Sequence, residues 1–139
     1  MKTTIRNTLG AAAISFAGLA AADTKETMQR NLAVFERYAG EPVEQVTAFR
    51  GIRNWQPLGK EAVALWADEK RVYLVKVDTP CSGLDFARGI RVEHTHPMLE
   101  ARFDAIEFEH QRCRILEIRP VDYVAARKEL YGRDAARGR

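Results

Sequence analysis

Cysteine is scarce in this chain. Its 139 residues hold two, Cys81 and Cys113, and only three histidines, His94, His96 and His110. No C-x-x-C pair occurs, so a dithiol redox motif is excluded. There is no Gly-rich phosphate loop, no zinc-protease helix signature and no Ser-His-Asp pattern with positional support. No apolar run reaches the length of about 20 residues that a membrane-spanning helix needs; the longest stretch, Leu9–Leu19, has 11 residues. Neither an internal repeat nor a low-complexity tract interrupts the chain. Charge of one sign is also lacking, with 22 Lys and Arg against 19 Asp and Glu. Nucleic-acid binding calls for a basic stripe or cluster. The one candidate, Arg127, Lys128, Arg133, Arg137 and Arg139, is interrupted by Glu129 and Asp134 and reads as a solvated terminus. Nucleic acid is therefore not an expected partner.

What is present begins with a three-part N-terminus. Lys2 and Arg6 precede the apolar stretch Leu9–Leu19, and Ala20-Ala21-Ala22 offers a small-x-small cleavage site before Asp23. That order is the layout of a secretory signal peptide. Residues 1–22 are expected to be removed on export, leaving a periplasmic or secreted chain with no transmembrane segment. No cysteine stands at the cleavage site to accept a lipid. Removal takes two bases and no acid, so 20 bases remain against 19 acids and the net charge falls to +1. The remaining residues, 23–139, form one domain near the small end of the size range, where a covalent staple helps.

Asp23–Gly40 reads as a helix, because Met28, Leu32, Phe35 and Ala39 make a single apolar stripe; Gly40 and Pro42 follow as stop signals. From Val43 the pattern becomes extended. Val43–Arg50 and Ile52–Trp55 are strand candidates, and Gln56–Gly59 a turn. Glu61–Ala67 and Arg71–Asp78 make a hairpin around Asp68-Glu69-Lys70. In the second of these strands Val72 and Leu74 face one way and Tyr73, Val75 and Val77 the other, so it should be central and covered on both faces. Ser82–Arg88 reads as a short helix capped by Ser82, with Asp85 three residues on. Ile90–His96 is a further strand. Phe103–His110 and Arg112–Arg119 form a second hairpin, with a bulge expected near Ala105. Pro120 should end the last strand, and Val121–Tyr131 a terminal helix stopped by Gly132, followed by a basic tail at 132–139. The expected fold is α+β: a single domain with one curved antiparallel sheet of about six strands, flanked by an N-terminal, a short central and a C-terminal helix. A partly closed barrel is the alternative.

Several stretches carry a resemblance. Trp55–Gly59 (WQPLG), the AVALW and VYLVKVD strands, Pro80–Ala87 (PCSGLDFA), Arg102–Asp104 (RFD) and Cys113–Asp122 (CRILEIRPVD) together resemble a family of small exported proteobacterial proteins known only as a domain of unknown function. The similarity spans roughly Val43 to Val124. It implies an exported protein with recurrent paired cysteines at the positions of Cys81 and Cys113, and it implies no activity, cofactor or catalytic residue. Members are often lipoproteins, but the lipid-accepting cysteine is missing here.

Candidate sites follow from the residue types. Cys81 precedes a helix, where a thiolate gains reactivity; but an even count in an oxidising compartment points to a bridge with Cys113. His94 and His96 are two apart, so on a strand they would share a face and could share a zinc or copper ion, with His110, Glu93, Glu107 and Glu109 as further ligands. Two histidines do not complete a coordination shell, and Pro97 marks a strand end. Asp85 and Asp104 could serve acid–base chemistry if they converged in a cleft; each also has a simple structural role. Trp55, Trp66 and Tyr73 could line a ligand groove, or belong to the core. The reading is an exported non-catalytic domain, with no cofactor, that binds an envelope protein or a small ligand. The alternatives are a periplasmic metal-binding protein and a hydrolase using Asp85 and Asp104.

Overall fold

The alternation in Arg71–Asp78 decides the architecture. In the computed structural model, which describes residues 17–79 and 81–137 (side chains at 24–79 and 81–132), this segment becomes β4 (Val72–Val77). Val72 and Leu74 enter one apolar cluster, and Val75 and Val77 enter another on the opposite face, with Tyr73 packed against it. Both faces must be covered, so β4 lies inside the sheet. Its neighbours are β3 (Ala62–Trp66) and β8 (Gln111–Val121). The full order is β2-β3-β4-β8-β7-β5, all antiparallel, where β2 is Asn54–Pro57, β5 Arg91–Glu93 and β7 Ala105–Phe108. The six strands curl into a half-barrel. A two-stranded pair, β1 (Gln45–Val46) and β6 (Leu99–Glu100), lies apart from it.

Two helices cover one face of the sheet. Helix α1 (Ala17–Arg37) buries Met28, Val34 and Phe35, and α2 (Tyr123–Arg137) buries Ala126. The rings of Phe35, Trp66 and Tyr123 stack or meet edge-on at 5.2–6.2 Å between centroids, joining α1, β3 and α2. Desolvation in this cluster pushes the Tyr123 hydroxyl's pKa up, with Tyr131 beside it adding to the shift. The opposite face closes over Phe49, Leu84, Leu99 and the cysteines. The bridge Cys81–Cys113, with Cα atoms 5.9 Å apart, sits in this second core, both residues buried.

Strand β8 serves both halves of the sheet. Its first residues pair with β7, and from Ile115 onward it pairs with β4. Lys76 and Val77 face Glu117 and Ile115, so Leu116 is the extra residue of a bulge. Such a bulge bends the strand and increases local twist, which is what lets one strand belong to both sides of the curl.

Several boundaries differ from the sequence reading. The bulge is at Leu116 rather than near Ala105, because Phe103 belongs to a turn and the β7–β8 register is unbroken from Ala105 to Phe108. Gln56 and Pro57 are paired strand residues, and the turn is Leu58–Glu61, closed by the Ala62 carbonyl accepting from the Leu58 amide at 3.0 Å. Pro57 is tolerated because β2 is an edge strand. Pro120 lies within β8 opposite Tyr73; its carbonyl accepts from Gly40, so its hydrogen-less nitrogen faces that irregular edge instead of the β4 ladder. Helix α1 ends at Arg37, and Gly40 runs on extended. Gly132 does not stop α2. The expected helix at Ser82–Arg88 is a single 3-10 turn, Leu84–Phe86, entered through Gly83 at φ 88° with no side-chain cap from Ser82.

Lys2, Arg6 and most of the apolar stretch Leu9–Leu19 of the expected leader lie outside the described residues, as do Pro80 and the last two of the basic tail. The backbone of α1 runs without a break across the expected cleavage point between Ala22 and Asp23.

Candidate functional site

A cleft opens where three elements meet. One wall is α1, which contributes Met28 and Leu32. The floor is Leu58 and Ala62, at either end of the β2–β3 turn. The far lip is the 3-10 turn, with Asp85 and Phe86. The cleft measures about 630 Å³. Lys25, Lys60, Glu61 and Asp85 stand on its rim, two charges of each sign. A smaller hollow of about 350 Å³, shared through Met28 and Asp85, continues it toward Pro57 and Thr27.

Local chemistry sets this shape. Gly59 has φ 137°, a conformation closed to most other residues, which allows the tight return from β2 to β3. Gly83, at φ 88°, does the same at the entry to the 3-10 turn. The disulfide ties Cys81 to β8, and the Gln111 side-chain amide donates to the Ser82 carbonyl at 2.7 Å. The lip is thus fastened on its N-terminal side by a covalent bond and a hydrogen bond. Phe86 projects from it, 68% exposed.

The sequence-predicted residues do not gather here. Of the two aspartates, Asp85 lines the cleft. Asp104 is 5% exposed and lines none of the cavities described; its Oδ2 accepts from the Glu100 amide at 2.6 Å while its own amide donates to the Glu100 carbonyl. Asp104 therefore clamps a turn. Trp55 and Tyr73 both register with Leu65 and share its face. Trp66, one residue on, faces the helices instead and is buried. The period of two residues per strand places the sheet itself between Trp66 and the other two rings.

The histidines are divided as well. Strand β5 ends at Glu93, and Thr95 bridges to Met98 across a tight turn that contains His96. The two imidazoles therefore do not share a strand face. Their ring centres are 6.4 Å apart, whereas a shared tetrahedral ion brings two such centres to about 5 Å. His94 packs edge-on against Phe49 at 4.9 Å, and its Nδ1 is buried without a hydrogen-bond partner. His110 occupies the β7–β8 turn; the β5–β7 register sets it about six residues, roughly 20 Å, from His94. Among the described residues no group of three or more His, Cys, Asp and Glu is placed to hold a metal ion.

Other charged groups act structurally. Glu93 is held below the usual carboxylate range by a hydrogen bond from Arg112, 2.8 Å away. Arg91 pairs with Glu107, and Arg114 with Asp78 at 3.0 Å, so the half of the sheet that the helices leave open wears a lattice of paired charges. Two arginines unnoticed in the sequence hold main chain. Arg71 donates to the carbonyls of Thr47 and Ala48 at 3.0 and 3.1 Å, while its Nε binds Asp68 at 2.7 Å. Arg119 donates to the carbonyls of Gly40 and Ala39. Neither leaves a trace in hydrophobic periodicity, because the acceptors are backbone atoms distant in sequence. No helix of the described residues is long and apolar enough to cross a membrane.

No curated protein and no solved structure shows similarity to this chain. A family match does, extending over residues 1–137 and so over both cysteines, the cleft and both helices. The chain belongs to the family described as a family of unknown function, DUF6491.

Proposed function

We propose that this protein is an exported, non-catalytic domain that binds a small amphiphilic molecule of the cell envelope in the α1 cleft. The observation that carries the reading is the cleft itself. Its volume of about 630 Å³ lies within the range of roughly 300–1,000 Å³ typical of ligand sites. Met28, Leu32, Leu58 and Ala62 supply an apolar floor, and the rim supplies two lysines and two carboxylates. Such a lining suits a ligand with an apolar body and a head bearing both charges. The disulfide and the Lys2/Arg6, Leu9–Leu19, Ala20–Ala22 order support export, as does the resemblance to exported proteins. The one carboxylate in the cleft with a motif behind it, Asp85, has no second acid from the motifs beside it, which leaves hydrolysis without its pair.

The test is a titration of the purified protein with a fluorescent zwitterionic lysolipid. Saturable binding to the parent, lost in Gln29→Trp, is the expected result. Gln29 is an exposed helix position on the cleft wall, so the larger ring fills the space without disturbing the core. Absence of saturable binding, or equal binding by Gln29→Trp, refutes the reading. Export is checked separately by intact mass of the chain recovered from a periplasmic fraction, expected to begin at Asp23.

A further inference from the structure

Among the described residues, five large apolar side chains stand in solvent. Phe86 belongs to the cleft. The other four fall into two patches of opposite charge.

The first patch is built around Phe103, 73% exposed, with Leu116 of the β8 bulge beside it. They border a hollow of about 500 Å³ whose rim carries Glu44, Glu100 and Glu117 against one base, Arg102. Arg119 lies 3.8 Å from Glu117; Glu44 and Glu100 have no ion-pair partner among the described residues. The turn that presents Phe103 is firmly fixed. Arg102 has φ 73°, unfavourable for a side chain of its kind. The Arg102 amide donates to the Ile115 carbonyl at 2.6 Å, the Ile115 amide to the Asp104 carbonyl at 2.9 Å, and the Ala101 amide to the Glu44 carbonyl at 2.9 Å. The buried Asp104 carboxylate closes the turn from below. Backbone strain and a buried, hydrogen-bonded side chain thus maintain an aromatic ring in water, where it gains nothing by itself; strain maintained in this way points to function.

The second patch is the outer stripe of α2. Val124, 70% exposed, Arg127, Lys128 and Tyr131 follow one another at helical spacing, all exposed. Neither Arg127 nor Lys128 has an ion-pair partner among the described residues. The inner face of α2 is committed to the core through Ala126.

We propose that the two patches dock on each other between copies of this chain: the cationic apolar stripe of α2 from one copy seats on the acidic Phe103–Leu116 hollow of the next. Both patches are open to solvent within a single copy, so the contact is intermolecular. Unpaired bases meet unpaired acids around an apolar centre, the arrangement of a polar rim about a desolvated anchor. Because the patches differ, the contact is head-to-tail and extends to a ring or an open row.

Sedimentation velocity on the purified disulfide-bonded protein tests this up to about millimolar concentration, the weak limit of a specific contact. Reversible association that weakens as salt is raised is expected. Phe103→Ala and Lys128→Glu change exposed positions, so each should melt as the parent does, and each should weaken self-association by about tenfold or more. The decisive mixture combines the two variants. Each retains one intact patch, so together they should form a discrete two-chain complex that grows no further. A parent that stays monomeric throughout overturns the proposal. So does loss of association in Phe103→Ala but not in Lys128→Glu, or failure of the two variants to pair.

Discussion

Removing the Cys81–Cys113 bridge should cost this domain much of its stability. The bridge spans 32 positions, and the chain-entropy treatment of a loop that long gives about 4 kcal/mol. Domains are stabilised by only about 5–15 kcal/mol in total. The bridged loop contains β5, β6 and β7, and both sulfurs lie in the core beneath the sheet, so the reduced chain must order three strands without the crosslink. Cys113→Ala is preferable to serine, since a hydroxyl buried there would add its own desolvation penalty. Thermal unfolding should fall by roughly 15 °C, and the urea midpoint by about 2 M. Cys81→Ala should cost a similar amount, and the double variant no more than the larger single loss, because one covalent bond disappears in every case. Thiol titration of the denatured, unreduced parent should find no free thiol. A loss below about 1 kcal/mol, or additive losses in the double variant, would refute the argument that loop closure is what the bridge contributes.

Three further outcomes follow from the polar groups. Asp104→Ala should destabilise by about 1–3 kcal/mol in urea unfolding, because it orphans the part-buried Glu100 amide; an unchanged midpoint would show that the clamp is dispensable. Asp68 has its pKa lowered to about 2, chiefly by the hydrogen bond from Arg71 and then by the amides of Lys70 and Arg71. A depressed carboxylate stabilises the fold above its unfolded pKa and loses that effect as pH falls through its folded one. Asp68→Asn should therefore flatten the stability profile between about pH 4 and pH 2, and an unaltered profile would contradict the assignment. Zinc titrated calorimetrically should bind weaker than about micromolar, since His94 and His96 are only two ligands and are too far apart to share an ion as they stand; tight binding abolished by His94→Ala would overturn this.

What could be read from the sequence depended on whether a residue's neighbours were close along the chain or encoded by alternation. The β3–β4 hairpin was legible because Val72 and Leu74 alternate with Tyr73, Val75 and Val77, and those faces meet the two cores. The stripe Met28, Leu32, Phe35 was legible for the same reason at helical period. The disulfide was legible from the even cysteine count and the expected oxidising compartment. Strand β6 was not, since two residues have no period; β1 falls within the expected strand Val43–Arg50 but is only two residues long. Pro120 and Gly132 misled because their usual meaning as stops assumes a partner on every edge and a helix needing an end there. The cleft was invisible because its walls come from positions as distant as Lys25, Lys60 and Phe86. His94 and His96 misled because spacing implies a shared face only while the strand lasts, and β5 ends at Glu93.

The grip of Arg71 on the Thr47 and Ala48 carbonyls, and of Arg119 on those of Ala39 and Gly40, has a consequence for how this fold can diverge. A carbonyl is the same acceptor whatever side chain its residue bears. At these four residues the crossing segment is therefore held from outside, by two guanidinium groups that add to its backbone pairing, and not by the side chains at 39, 40, 47 and 48. Substitutions there that respect backbone geometry, such as the left-handed φ of 53° at Ala48, leave the path unaltered. Replacing either arginine by lysine, which keeps the charge but loses the planar fork, releases it. Within such a scaffold, sequence drift can proceed at positions 39, 40, 47 and 48, while Val46 and Phe49 stay committed to the core and the two anchoring arginines, on β8 and just before β4, stay fixed.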